Sequence, residues 1–467
     1  MHIRGVCSAV IPVCNPWEYS MLTRRSLIAQ SIAIAAMPTV LSAQAADMFV
    51  LDEIRLIDGI SSVALDNARI VVSAGRIAAA GEASQVQIPA GARIVKGTGK
   101  TVMPGLIGGH VHLGGYDGLI AGPAAQNRAN ILRQLDLYLR YGVTSVTSLG
   151  TNKALVYDVR KDLTAGTAFG ADIFVADHGI GVPKGAPPAA LGPDQLDRPE
   201  TTEQAREAVR AAASRGTNLI KLWLDDFQQM KLVKMQPDIY EAAIDEAHKA
   251  NLPAYVHIHD LADAKAVLKV GADVLAHGVR DVPVDAEFID LMKKNDAWYI
   301  PTLTVDDAFV LFAEHPDTLS DPVLQRALHP DLLKQFQSAE WREKQVKSPA
   351  LASWKAGLAM NQRNTKAAYD AGLNVGYGTD SGAMPLRVPG FAEHRELELL
   401  VQAGFTPSQA IISATSQAAS LLRIDDRGVI ATGKLADLVM VDGNPLVDIK
   451  TTRQIRAVWK RGREVIL

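Results

Sequence analysis

Strand-length apolar runs alternate with helical patterns through most of this chain, and that rhythm limits what it can fold into. After a helical stretch around residues 124–140 come VTSVTSL, DIFVAD, NLIKLW, PAYVHI, DVLAHG, WYIPTL and NVGYGTD. Helical stretches such as EQAREAVRAAASR, DIYEAAIDEAHKA and LADAKAVLKVG separate most of them. With the strand in VMPGLIGGHVHLGG ahead of them, eight such units argue for an α/β fold with a parallel sheet closed into a (β/α)8 TIM-like barrel. A chain of 467 residues, 48% of them hydrophobic, can bury that barrel and a smaller module besides.

The smaller module draws on both chain ends. FVLDEIRLIDG, ARIVVSAGRIAAAG and ARIVKGTGKTVMPG near the start, and KLADLVMVDGNPLVDI and IRAVWKRGREVI near the end, read as short strands punctuated by glycine. Residues 47–103 and 424–467 are therefore assigned to a small β-sandwich module, and residues 104–423 to the barrel. The long, charged, helical stretch at about 306–353 breaks the rhythm, which predicts a helical lid insertion over the barrel mouth. Residues 1–46 read as an export signal, with Met21 as an alternative start. The pair Arg24-Arg25 in TRRSL, an apolar run from about Leu27 to Leu41 and Ala43-Gln44-Ala45 resemble a twin-arginine signal. The expectation is an exported, periplasmic protein with no stable membrane insertion once the signal is removed.

Charge and cysteine content narrow the chemistry. A net charge of -3 offers no basic field for nucleic acid, so a small-molecule substrate is the expected partner, with a homo-oligomer left open. The only cysteines are Cys7 and Cys14, so nothing downstream forms a disulfide or a thiolate metal site. A metal ion would have to be held by histidine, carboxylate or a less ordinary group. His110 and His112 sit one residue apart, and on an extended strand such positions share a face, so both imidazoles can converge on one ion.

In a barrel of this kind chemistry gathers at the strand ends. Six residues fall there: His110 and His112 on strand one, Lys221 in LIKLW, His257 in YVHIH, His277 in LAHG and Asp380 in GTDSG. Each has an ordinary reading alone: Lys221 as a strand-end lysine, His277 as a core histidine, Asp380 as a turn former. Their joint occurrence at successive strand ends is not ordinary.

This ordering resembles the amidohydrolase superfamily, and more closely its imidazolonepropionase-like and Xaa-Pro dipeptidase-like metal-dependent hydrolases. The resemblance rests on MPGLIGGHVHL, IKLW, VHIHD followed by GADVLAHG, YGTDSG, and GVIATGKLADLVMVDGNPLVDI. It implies two divalent metal ions, expected to be zinc. His110, His112 and Asp380 would hold one, His257 and His277 the other, and a carbamylated Lys221 would bridge both. An ammonium cannot ligate a cation, whereas a carbamate can. The implied nucleophile is a hydroxide shared by the two ions, with Asp380 moving its proton to the departing nitrogen. His178, in FVADHGIGVPKG, and His259, two residues beyond His257, are the candidate donors to the developing oxyanion.

The expected reaction is cleavage of an amide (C–N) bond in a dipeptide, an N-acyl amino acid or an amide xenobiotic, with a lactone, carbamate or urea as the alternative. A deaminase of the superfamily would use one metal and usually an acid at strand five, against which Lys221 argues. A non-catalytic relative would be expected to have lost ligands, and all six are present. Two positions depart from the family pattern: Gly108 stands where an aspartate is usual, and Thr147-Ser148 where close relatives carry Arg-Asp. His248, His315 and His329 read as surface residues, and His394 as a support behind the ligands. Trp223, Phe309 and Phe312 could line a pocket or pack the core. Arg280, just past His277, would favour a peptide substrate if it reached the pocket.

Overall fold

All eight apolar runs become short strands, and all eight are parallel: Leu106–Val111, Val143–Ser148, Asp172–Val175, Ile220–Trp223, Ala254–His257, Val274–Ala276, Trp298–Ile300 and Asn374–Val375. Most of their residues are buried, which is why most of the runs are largely apolar instead of alternating; VTSVTS, with four buried hydroxyl residues, is the exception. The structure is a computed structural model and describes residues 48–188, 191–227 and 230–467. The export-signal reading of residues 1–46 lies outside the described residues. Among those described, no helix is long and apolar enough to cross a membrane.

Intervening helices begin where the side chains dictate. Asn127, Thr201 and Asp285 each accept a backbone N–H at the start of Arg128–Arg140, Thr202–Ser214 and Ala286–Lys294, satisfying one of the donors a helix start leaves open. The strands do not, however, form the continuous ladder of a closed barrel. The first three pair in one arc and the last five in another. Isolated bridges, Ile180↔Leu222 and Val111↔Ser381, span the two seams, with Asn218 N donating to Val175 O at 2.9 Å and Gly109 N to Tyr377 O at 3.0 Å. The reason is local. The third and eighth strands have only four and two residues, and the first slips register between Gly108 and Val111.

The module from the chain ends is also paired differently from expectation. Its eight strands form one mixed sheet, in which Lys100–Pro104 runs antiparallel to Leu438–Asp442 and so joins the two ends of the chain. Phe49, Leu51, Ile54, Val102, Met440 and Trp459 fill its core, the Phe49 and Trp459 rings stacking at 5.6 Å. Between the seventh and eighth parallel strands, the expected insertion contains Thr304–Glu314, Pro322–Ala327, Pro330–Gln337 and Ala339–Val346, and leads into Leu351–Asp370. It has a core of its own, in which Phe312, Leu324, Leu332 and Phe336 pack with Tyr116, Tyr141 and Phe391. Phe312 is therefore a packing residue.

A buried ion cluster fastens the sheet of the chain ends to the third strand. Asp172, the first residue of that strand, meets Arg427, Lys460 at 2.9 Å and Arg461 at 2.9 Å, while Lys460 also meets Asp437 at 2.6 Å. Burial would raise the Asp172 carboxyl, but Lys460, Arg427 and Arg461 outweigh it and hold the group below its ordinary value. Asp172→Ala removes the carboxylate these cations share, leaving Lys460 with Asp437 and Arg427 with Asp426, and is expected to cost about 2 kcal/mol, read as a lower urea midpoint at unchanged slope. A carboxyl held low stabilises fully above its unfolded value of 3.8 and loses that contribution as pH falls through the lower folded value. Wild type and variant should therefore converge in acid; a difference that persists there would remove the ion cluster as its cause.

Candidate metal centre

Period-two geometry puts His110 and His112 on one side of the first strand, and the turn after the eighth strand brings Asp380 to them. The His110 carbonyl accepts from Thr379 N at 3.0 Å and Asp380 N at 2.9 Å, and His112 N donates to Ser381 O at 2.8 Å. This approach needs the glycines of YGTDSG. A Cβ on Gly378 would lie 2.5 Å from His110 Cβ, and one on Gly382, whose φ is +81°, would lie 2.0 Å from His112 O. Asp380 and His277 both adopt positive φ, 56° and 100°, conformations that cost energy and concentrate at functional sites.

Asp380 Oδ1 lies 3.1 Å from His110 Nε2 and 3.0 Å from His112 Nε2, while Oδ2 pairs with Arg387. His277 adds a third ring 4.6 Å from that of His110, and His257 a fourth, 4.3 Å from His277. Lys221 is wholly buried beneath them, its Nζ 5.4 Å from the Trp223 ring. Burial comes first among the causes that push the His110 imidazole down to about 3, with the Lys221 charge adding to it. Burial likewise holds His257 and His277 below the ordinary value, so the rings are neutral and carry lone pairs. The Lys221 amine is pushed down to about 7 by burial, against the pull of Asp380 and Asp225. The Asp380 carboxyl would be raised by burial, but Arg387, His110 and His112 hold it well below the carboxylate range.

The donor set fits a divalent cation. Nδ1 of His110 and of His257 and Lys221 Nζ are buried without a hydrogen-bond partner, and the Nε2 atoms only approach carboxylates, Asp380 at 3.1 Å and Asp225 at 3.3 Å, without well-formed bonds, which is costly unless something else coordinates them. Thr302 Oγ1 meets His277 Nδ1 at 2.6 Å and so orients the ring, leaving Nε2 as the atom that can ligate. Among the described residues, two groups bring three donor atoms within 4.8 Å of one another: His110, His112 and Asp380; and Asp177, His178 and Asp197. In the second group Asp177 is already committed to Arg215 at 2.5 Å and to the Tyr157 hydroxyl at 2.6 Å.

The imidazoles open into a cavity of about 530 Å³. His112, His257, His277 and Asp380 line it, as do Trp223, Phe227, Phe309 and Trp354, so the first helix of the insertion and the helix that follows it wall the site. Of the two candidate donors, His259 reaches the cavity wall, and its Nδ1 meets Asp260 Oδ1 at 2.6 Å. His178 is not among the lining residues; its Nδ1 faces Asp197 at 3.4 Å, because the third strand ends on the far side of Trp223 and Gly179 packs against that ring. His394 is buried with Thr452 and the Tyr141 carbonyl as partners, away from the ligands. Arg280 does reach the cavity. Sequence reading passed over Arg387 and Asp306: no motif marks either one, and only the turn Asp380–Arg387 and the fold of the insertion carry them in.

Buried imidazoles, a carboxylate and a lysine at the strand ends of an α/β fold define a metal-site protein. The chain belongs to the amidohydrolase family, whose pattern matches residues 101–465, and it is a hydrolase of that family. An ochratoxinase from Aspergillus niger is 27% identical over 446 residues, spanning 85% of this chain and 83% of that one. Among solved structures, a Bifidobacterium longum protein described as a candidate prolidase is 29% identical with a TM-score of 0.70, covering 90% of this chain and 95% of its own. A Xaa-Pro dipeptidase with bound methionine shares the fold at 24% identity and a TM-score of 0.69, covering 89% and 99%.

Two substitutions test the centre. Lys221→Ala is expected to lose bound metal, measured per chain by mass spectrometry, and to regain part of it with added formate or acetate. Full metal content without Lys221 would remove the lysine from the site. Asp380→Asn should retain much of the metal yet lower kcat by at least about a hundredfold, as removal of a proton-transfer group does; undiminished turnover would exclude that role.

Proposed function

We propose that this protein cleaves an amide bond of a small molecule, in a dipeptide, an N-acyl amino acid or an amide xenobiotic. The observation that carries this reading is the clustering of His112, His257, His277 and Asp380 on one cavity wall beside aromatic side chains, with His110 against His277 and Asp380 and with Lys221 wholly buried beside Trp223. His110, His112 and Asp380 would hold one divalent cation, zinc by our reading, and His257 and His277 a second. Lys221 supplies the missing shared donor if its neutral amine takes up carbon dioxide and releases a proton, giving a carbamate. A pKa of about 7 leaves a large fraction of that amine neutral at physiological pH. Ions so held polarise a carbonyl and lower the pKa of water.

The chain's own groups then have distinct tasks. Asp380, kept ionised by Arg387, accepts a proton at Oδ1 and delivers it to the departing nitrogen, which leaves as a neutral amine. His259 stands at the cavity wall; with Nδ1 donating to Asp260, its Nε2 donates to an oxyanion only as the imidazolium. Trp223, Phe227, Phe309 and Trp354 exclude water and favour an apolar side chain on the substrate. The 29% identity to a candidate prolidase supports a dipeptide-like amide.

The test is metal content of the purified protein, paired with turnover of N-acyl amino acids, Xaa-Pro dipeptides, lactones, carbamates and ureas. Two ions per chain with amide cleavage is the expected result. Turnover of a lactone, carbamate or urea alone would replace the amide reading, and one ion with release of ammonia would replace it with deamination.

A further inference from the structure

The two rings that would hold the second cation have different neighbours. Thr302 Oγ1 donates to the Pro301 carbonyl at 2.8 Å, so what it offers His277 Nδ1, 2.6 Å away, is a lone pair. The proton of neutral His277 therefore sits on Nδ1, and Nε2 is left to ligate. His257 has no such neighbour at Nδ1, which is buried without a hydrogen-bond partner. Its Nε2 instead lies 3.3 Å from Asp225 Oδ1.

A neutral imidazole carries one proton, and each position has a consequence. With the proton on Nδ1, His257 buries a donor that nothing accepts, which is a costly state. With the proton on Nε2, the donor meets a carboxylate and Nδ1 keeps its lone pair for a cation. At 3.3 Å the contact is long for a hydrogen bond. A cation bound at Nδ1 withdraws charge from the ring, makes Nε2–H the stronger donor and favours a closer approach.

Strand pairing brings Asp225 to this place. Trp223, the last residue of Ile220–Trp223, is in register with His257, the last of Ala254–His257, and Leu224 N donates to His257 O at 3.4 Å. Asp225 follows directly, four residues beyond Lys221. It is only 1% exposed, so water does not compete for the ring nitrogen. Phe227 meets the His257 ring edge-on at 5.0 Å and His277 meets it at 4.3 Å, which limits how far the ring can turn.

We propose that Asp225 is a positioning residue for the second cation: it accepts a hydrogen bond from Nε2–H of His257 and so fixes the tautomer in which Nδ1 ligates. His257 and His277 thereby present opposite nitrogens, Nδ1 and Nε2, to one ion. The proposal rests on the reading that these two rings hold a cation, and extends it to a residue outside the ligand set.

The test is a zinc titration of the full-length apoprotein against a competing chelator, for wild type, Asp225→Ala and Asp225→Asn. In parallel, nitrogen NMR of histidine-labelled, zinc-loaded protein reads the tautomer of His257, whose signals are assigned by their loss in His257→Gln. Wild type is expected to bind two ions with His257 protonated at Nε2. Asp225→Ala should weaken the second ion by about 10- to 100-fold and leave the first unchanged, as loss of a carboxylate behind a ligating imidazole does. Asp225→Asn, whose side-chain oxygen still accepts a hydrogen bond, should lie between the two and guards against an alanine variant that fails to fold. Protonation of His257 at Nδ1 in wild type, or a second ion held as tightly in Asp225→Ala as in wild type, would overturn the proposal. Equal weakening of both ions in both variants would also overturn it, because that is the mark of a general loosening. If wild type binds a single ion, the two-ion reading fails and the tautomer alone decides on Asp225. An Nε2–H that depends on Asp225 then retains its role, and a tautomer indifferent to Asp225 removes it.

Discussion

Two hydrogen bonds to one carbonyl organise this site. The His110 oxygen accepts from the backbone of Thr379 and of Asp380, and that clip sets the first strand against the turn after the eighth, joining residues far apart in the chain. Buried Glu393 holds the turn from behind, accepting from Thr379 Oγ1 at 2.7 Å, Ser381 Oγ at 2.6 Å and Gly390 N at 2.7 Å. Tyr138 closes the arrangement by meeting Ser381 Oγ at 2.7 Å. Asp380 can be held at a positive φ because these bonds over-determine the turn around it.

Burial does the electrostatic work. It strips water from His110, His257, His277 and Lys221 and so disfavours the charged form of each. The same burial would raise the Asp380 carboxyl, but Arg387, His110 and His112 outweigh it. A wall of neutral donors around one fixed anion suits a divalent cation, because the cation then supplies the charge that the cluster lacks. Farther along the chain Glu396 shows the alternative outcome. It is buried with backbone N–H donors from Leu303 and Thr304, and burial, with the charge of Asp307 adding to it, pushes its carboxyl up to about 8.

The parallel strands were legible because both of their faces are covered, which turns each into an apolar run bounded by turn residues. His110, His112, Lys221, His257, His277 and Asp380 were legible because they stand at strand ends, where the order of residue types survives without any knowledge of distance. Arg387 and Asp306 were not. Their place on the cavity wall depends on how the turn Asp380–Arg387 and an inserted helix fold back, and no local pattern of apolar and polar residues encodes that. His178 shows the converse: a histidine at a strand end is turned aside when the Trp223 ring lies against Gly150 and Gly179. The broken seams have a similar origin, since pairing across them depends on strand length and register more than on composition.

The ion cluster at Asp172 has a consequence for the order of events during synthesis. The third strand leaves the ribosome 288 residues before Lys460, and 289 before Arg461, the cations that neutralise it. Until the last residues emerge, the sheet of the chain ends lacks its central pairing and a carboxylate at the base of the parallel strands has no full set of partners. A chain that stops short of Lys460 and Arg461 leaves Asp172 with Arg427 alone, so the anchoring of the two sheets to each other comes late in synthesis.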